Sequence, residues 1–326
     1  MAEWLVERGI GEDRAALIED GAIVEARILP HDDLAPGTVL RARLARRIPP
    51  RNQGIAVWDG GEALLSPLPR GVTEGASLSI EITRPAISER GKPKRALARP
   101  SEDAPRPAPP LADTLDGPVR LLDWREPDAL EAAGWSELLE EAASGSIAFV
   151  GGTAHIAMTP AMTLIDIDGE GAPGDLAVSG AAAAARGVRR LDISGSIGID
   201  LPTVADKTVR QAAGEAIDAA LPQPFERTAV NGFGFVQIIR RRSRLSLMEL
   251  YAHDSLLSHA RALLRIAERS KGAGERTLHA HPHIVHAIES RESWAIELSQ
   301  RIGAPIALRA DPALAISSGH VQARFP

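Results

Sequence analysis

Three aspartates in this 326-residue chain have the type and spacing for metal-assisted chemistry. Asp166 closes the apolar run Leu164-Ile165-Asp166, and Asp200 closes Ile197-Gly198-Ile199-Asp200. Each run reads as a β-strand ending on its carboxylate. Carboxylates at the C-terminal ends of neighbouring strands in an α/β sheet face one crevice. Two of them, with water and a substrate phosphate, suit Mg2+, a hard cation that takes oxygen ligands. Asp168 lies two residues beyond Asp166, on the same face of an extended segment, as a third ligand or a water-positioning group. Strand-end aspartates also arise as caps of the turn or helix that follows, and spacing alone does not separate the two.

Three basic clusters have the spacing to meet phosphates. Arg41, Arg43, Arg46, Arg47 and Arg51 form the first. Arg90, Lys92, Lys94 and Arg95 crowd a Gly/Pro-containing loop, ERGKPKR, and Arg240, Arg241, Arg242 and Arg244 follow an apolar run. Such clusters are the electrostatic footprint of phosphate-backbone binding, or equally a solvated face in an Arg-rich chain. His279, His281 and His283 alternate, with His286 nearby. An alternating pair can chelate a metal, but Pro282 suits the first turn of a helix and favours a structural role. Gly232-Phe233-Gly234 lacks the fingerprint of a dinucleotide loop.

The elements that must position these residues are legible in outline. Asp20-Gly21 between two alternating runs, Arg14–Glu19 and Ala22–Ile28, predicts a hairpin. Residues 37–97 read as short strands punctuated by Gly and Pro, a small barrel such as an OB fold or another small β-barrel. Pro100–Pro110 reads as an extended or disordered linker. Leu121–Ala143 carries helical signals. Apolar runs at 146–150, 155–160 leading into 162–169, 195–200 and 234–239 alternate with helical patterns at 176–186 and 203–221. That alternation predicts an α/β layer with a partly parallel sheet. Helices follow near 248–270, 283–289 and 293–302, with a strand at 305–309.

Composition narrows the classes. The length suggests about two domains at roughly 100–200 residues each. Hydrophobic residues make up 44% and charged residues 25%, an ordinary globular balance. Cysteine is absent, which excludes disulfides, thiolate zinc sites and cysteine nucleophiles. Aromatics are only 3%, so a broad stacking platform is not expected. The net charge is −6, so nucleic-acid binding must rest on local clusters. No apolar run reaches the ~18–20 residues of a membrane span. The start, Met1-Ala2-Glu3-Trp4, lacks the pattern of a signal peptide. A cytoplasmic protein is the expectation.

These segments together resemble the ribonuclease E/G family, the chain being similar to a short, diverged member. Glu12–Gly21 resembles the family's N-terminal strands, part of a ribonuclease-H-like subdomain. The β module resembles its inserted RNA-binding OB domain, and Glu89-Arg90-Gly91-Lys92 the basic loop near that domain's end. The stretch GSIAFVGGTAHIAMTPAMTLIDIDGEG resembles the segment with a Gly-Gly hairpin and the first catalytic Asp. RRLDISGSIGIDL resembles the segment with the second, and FGFVQIIRRR the pattern Phe-Gly-Leu-x-Glu-x-x-Arg-x-Arg.

The resemblance implies an α+β multi-subdomain fold. Its parts would be N-terminal ribonuclease-H-like strands over 1–35, an OB-fold RNA-binding module over 36–99 and a Pro-rich linker over 100–112. The remainder of the ribonuclease-H-like subdomain would follow over 113–160. A catalytic deoxyribonuclease-I-like subdomain over 161–250 and a C-terminal, initially helical, α/β region over 251–326 would complete it. Asp166 and Asp200 would be the Mg2+ ligands, with Asp168 in the place of a supporting Asn. Arg43, Arg90, Lys92, Lys94, Arg95, Arg240 and Arg242 would bind RNA. The chain departs from the pattern at Asp168, at Gly232 where Arg is usual and at Gln237 where Glu is usual. Val57 and Leu64 stand near the places of stacking Phe residues. The 5′-phosphate sensor and the zinc-link cysteines are absent, so no zinc-linked tetramer is expected, and a homodimer stays open. The implied function is a Mg2+-dependent endoribonuclease on single-stranded RNA that leaves a 5′-phosphate. The alternatives are a non-catalytic RNA-binding protein with a decayed site and, more remotely, a phosphodiesterase for another substrate.

Overall fold

β1 (Glu3–Arg8), β2 (Glu12–Glu19) and β3 (Ala22–Pro30) form an antiparallel meander. Asp20 and Gly21 take positive φ, 51° and 81°, as the two-residue turn of the expected hairpin requires. The computed structural model describes residues 2–32, 34–87, 94–253 and 255–325.

The next five strands are β4 (Val39–Ile48), β5 (Gln53–Trp58), β6 (Gly61–Leu65), β7 (Ser77–Arg84) and β8 (Ala96–Pro100). They close into a barrel of order β4-β5-β6-β8-β7, in which only β6 and β8 run parallel. Alternation along β4 sends Ala42 and Leu44 into a core with Leu65, Ile80 and Ile82, and turns Arg41 and Arg43 to solvent. The Pro-rich stretch is extended, one of the two expected states. Arg106 and Val39 exchange both backbone hydrogen bonds, at 2.9 Å each.

β9 (Val119–Leu122) pairs parallel with β1 and completes a sheet of order β3-β2-β1-β9. The helical reading of 121–143 is thus corrected at its start. Pro127 cannot sit in a helix interior and biases Glu126 away from helical backbone. Helix begins only at α1 (Ala129–Ala132), capped by Asp128, and continues in α2 (Trp135–Ser144).

The α/β layer contains β10 (Ser146–Phe149), β11 (Gly152–Met158), β12 (Thr163–Gly169), α3 (Pro173–Arg190), β13 (Gly195–Asp200), α4 (Lys207–Ala220), β14 (Glu226–Arg227) and β15 (Phe235–Arg240). The sheet order is β10-β11-β12-β13-β15-β14, with β12 and β13 the parallel pair. One face buries Ile165, Ile167, Ile197, Ile199, Val236 and Ile238. The Ala-rich α3 packs against β10, β11, β12 and α4. Small residues let it approach closely: a Cβ at Gly180 would lie 2.4 Å from Ile167 Cγ2.

The remaining elements are α5 (Leu247–His253), α6 (Ser255–Glu268), β16 (Ala273–Ala280), α7 (Pro282–Glu289), α8 (Glu292–Ile302), β17 (Ile306–Ala310) and β18 (His320–Phe325). β16, β17 and β18 form a sheet of order β17-β16-β18, so this region, helical at its start, is mixed α/β. Leu263, Leu264, Leu278, Ile284, Ile288, Trp294 and Leu298 are its core.

The chain is thus mixed α+β, with a closed five-stranded barrel, three further sheets and eight helices among the described residues. It divides into two compact units. The first takes Met1–Asp32, Leu115–Ser136 and Glu249–Pro326; the second takes Asp33–Thr114 and Glu137–Met248. No helix among the described residues is long and apolar enough to cross a membrane.

Candidate active site

Asp166 and Asp200 are direct register partners on the parallel strands β12 and β13. Neighbouring strands lie roughly 4.7–4.9 Å apart. The strict apolar alternation of both strands puts Ile165, Ile167, Ile197 and Ile199 on the buried face and the carboxylates on the open one. β11 places His155 opposite Asp166, and β15 places Phe235 opposite Asp200. The result is one row across four strands: His155, Asp166, Asp200, Phe235. Asp168 follows on the same face, with its Oδ2 3.9 Å from His155 Nε2.

Neither carboxylate of the pair caps a helix. α3 starts at Ala172 without a side-chain cap, and Asp206 caps α4. β12 also runs past Asp166 to Gly169, so Asp166 lies within the strand rather than at its end. The Asp166 and Asp200 carboxylates make no ion pair or side-chain hydrogen bond with other described residues. No Lys or Arg of β10–β15 falls on this face either. Arg227 and Arg240, the basic residues of these strands, alternate with residues of the open face onto the other side.

Two unpaired carboxylates on adjacent strands fit a hard divalent cation held by one or two carboxylates, its other positions filled by water and phosphate oxygen. Among the described residues no group of three His, Asp or Glu converges as a complete protein cage. Mg2+ is bound by one or two carboxylates with waters and phosphate oxygens, and Asp166 and Asp200 are the residues here that could hold it.

A second row borders the first. Gln237 is the register partner of Gly198, which in turn pairs with Leu164. Gln237 Nε2 donates to Ser196 Oγ at 3.0 Å. A Cβ on Gly198 would meet Phe235 Cζ at 2.6 Å, so the tip of that ring lies over the glycine. The turn leading into β15 is held by Asn231 Oδ1, which accepts from the backbone N–H of Phe233 at 2.9 Å and of Phe235 at 3.0 Å. Phe233 itself is 81% exposed.

The expected RNA-binding residues scatter. Arg43 is exposed on the barrel wall. Arg90 and Lys92 lie outside the described residues. Lys94 exchanges backbone hydrogen bonds with Ile87, and Arg95 pairs with Glu62. Arg240 points to the buried side of the sheet, where Nη1 donates to Ile193 O at 2.7 Å. It pairs with Gly195, five residues and about 17 Å along β13 from Asp200. Arg242 is half-buried beside Gly195. Neither Arg240 nor Arg242 adjoins the carboxylate row.

Acidic residues of the first unit are built differently. Glu7 accepts from Arg14 Nε at 3.2 Å and Nη2 at 3.1 Å, and pairs with Arg269. Arg14 Nη2 also donates to Asp128 at 2.6 Å. Glu12 pairs with Arg265, and Glu268 with Arg301. Burial opposes the Arg14 charge, yet Glu7 and Asp128 outweigh it and hold its pKa above the ordinary value. Burial likewise works to raise Asp128, but Arg14 and the Glu131 N–H carry it below the usual carboxylate value. For Glu268 burial prevails and the pKa is raised despite Arg301.

The alternating histidines divide between two roles. His281 Nδ1 accepts from His283 N–H at 3.2 Å and caps α7, with Pro282 in its first turn, as the structural reading expects. His279 stacks on His320 across β16 and β18, ring centroids 4.8 Å apart.

Sequence reasoning passed over His155 and Phe235 as members of the row. Their period-two alternation was visible, but the pairing that brings them beside the carboxylates is a property of the sheet. No protein-family model matches the chain, and comparison with curated proteins likewise finds no match.

Proposed function

We propose that this chain is a Mg2+-dependent endoribonuclease of single-stranded RNA, a diverged relative of the ribonuclease E/G family. The observation that carries the reading is the Asp166–Asp200 pair: in register, exposed, without an ion pair among the described residues, and on a sheet face to which β10–β15 bring no Lys or Arg. Unpaired carboxylates side by side repel each other and are relieved by a cation. Bound there, Mg2+ would lower the pKa of an attacking water and stabilise charge on the phosphate.

The chain's own residues then have distinct tasks. Asp166 and Asp200 are the carboxylates that would hold Mg2+. Asp168, next along the same face and beside His155, orients water. The barrel's strand order and its outward Arg41 and Arg43 support an OB-type module that binds the strand. A non-catalytic RNA-binding protein is the second reading, favoured by the departures from the family pattern at Asp168, Gly232 and Gln237.

The deciding experiment mixes the protein with a labelled A/U-rich single-stranded RNA, with Mg2+ or EDTA, beside Asp166→Asn. Mg2+-dependent cuts lost in the variant support the nuclease. RNA retention without cuts, indifferent to EDTA, moves the assignment to the binding protein.

A further inference from the structure

The surface beside the carboxylate pair carries an aromatic group with no task in the reading above. Phe235 is the register partner of Asp200, and its ring reaches diagonally across β13. A Cβ at Gly198 would lie 2.6 Å from Phe235 Cζ, 2.9 Å from Cε2 and 3.0 Å from Leu164 Cδ2. Glycine inside a strand weakens it and often marks a close approach by another group. Here the group that approaches is the tip of the Phe235 ring, and the residue is half-exposed. Gln237 lies on the next row of the same face and donates at 3.0 Å to Ser196, one row further along β13.

We propose that Phe235 is a stacking platform for the nucleobase next to the phosphodiester held at Asp166 and Asp200, with Gln237 and Ser196 facing that base's edge. This rests on the nuclease reading and adds how substrate is positioned. The occupant follows from the chemistry of the face. A ligand here must bring a flat apolar group to the ring and an anionic oxygen to a cation on the neighbouring carboxylates. A nucleotide carries both on one unit. The amide and hydroxyl beyond the ring supply donors and acceptors, as base edges in single strands require. Every base has a π-face, so the platform tolerates sequence.

The test compares wild type with Phe235→Leu and Phe235→Trp. Leucine keeps apolar bulk over Gly198 and removes the aromatic face; tryptophan restores it. Three short A/U-rich RNAs with one cut site are used: intact, abasic on the 5′ side of the cut, and abasic on the 3′ side. Phe235→Leu is expected to lower kcat/KM on intact RNA by between about 5-fold and about 150-fold. The loss should vanish on one abasic RNA and be recovered by Phe235→Trp. An equal loss on all three RNAs, or none on any, overturns the platform while leaving the nuclease in place. If wild type does not cut, the proposed function falls instead. Fluorescence anisotropy of the same RNAs then decides the platform: a Phe235→Leu deficit confined to RNA with its bases supports it, and equal binding overturns it.

Discussion

Two acidic clusters, one in each unit, are built in opposite ways; the second unit pairs Glu141, Asp192 and Asp218 with arginines yet leaves Asp166 and Asp200 without one. In the first, Glu7 and Arg14 are each 1% exposed and interlocked, and Glu12, Asp128 and Glu268 each meet an arginine. In the second, Asp166 and Asp200 stand in solvent with no arginine. A buried carboxylate must find a cation within the chain, because an isolated buried charge is too costly. An exposed pair has no such need, and its unsatisfied charge is available to a ligand. The difference teaches that acidic content alone does not mark a site; the location of the compensating cation does.

The comparison breaks most readily at Arg14. Arg14→Met leaves buried Glu7 and half-buried Asp128 to share Arg269 as their remaining cation, and urea unfolding should show a loss of about 3 kcal/mol. The same measurement on Asp200→Ala should stay within about 0.5 kcal/mol of wild type, as for an exposed position without packing. On the proposed nuclease function, RNA cleavage by Asp200→Ala should in contrast fall by about 100- to 1000-fold in kcat. A destabilisation of Asp200→Ala comparable to that of Arg14→Met would erase the distinction.

Gly198→Ala sharpens the contrast on the second unit's side. Alanine usually stabilises a strand relative to glycine by roughly 0.5–1 kcal/mol. Here the new Cβ must push aside the tip of the half-exposed Phe235 ring, so thermal unfolding should register less than that gain, within about 1 kcal/mol of wild type.

The smallest effect is a pH dependence in the first unit. His259, half-buried on α6 and edge-on to Tyr251, has its pKa lowered from 6.5 by burial. The unfolded chain therefore takes up the proton at higher pH than the folded one. This contribution to stability is fully present above pH 6.5 and is lost as pH falls through the folded value. Unfolding midpoints measured across that window should decline more steeply in wild type than in His259→Gln.

Much of the second unit was legible because its strands obey one rule. Leu164 through Asp168 and Ile197 through Asp200 alternate without interruption, so the carboxylates' shared face follows from period two. The barrel was legible from strand spacing and turn residues. Register was not: nothing local to Phe235 says that it lies opposite Asp200, because that depends on an antiparallel pairing 35 residues away. β16 escaped for another reason. Its sequence is mostly polar and small, and it buries Arg276 only because Gly272 O, Gly274 O and Ser270 Oγ receive the guanidinium, at 2.6, 2.7 and 3.0 Å. Basic patches were the least transferable guide, since Arg240 serves backbone carbonyls rather than solvent.

Gly180 extends the reach of the site to the back of the sheet. Its missing side chain makes room for Ile167, the residue between Asp166 and Asp168. Gly187 does the same for Ile147, with 2.7 Å between a Cβ there and Ile147 Cδ1. The carboxylates thus stand on a layer one residue thick, and a methyl group added behind it presses directly on the strand that carries them. In a saturation scan scored by activity, Gly180 should behave as an active-site position although no substrate atom can reach it. The tolerance of this site to sequence drift is set as much by the helix it faces away from as by the residues it displays.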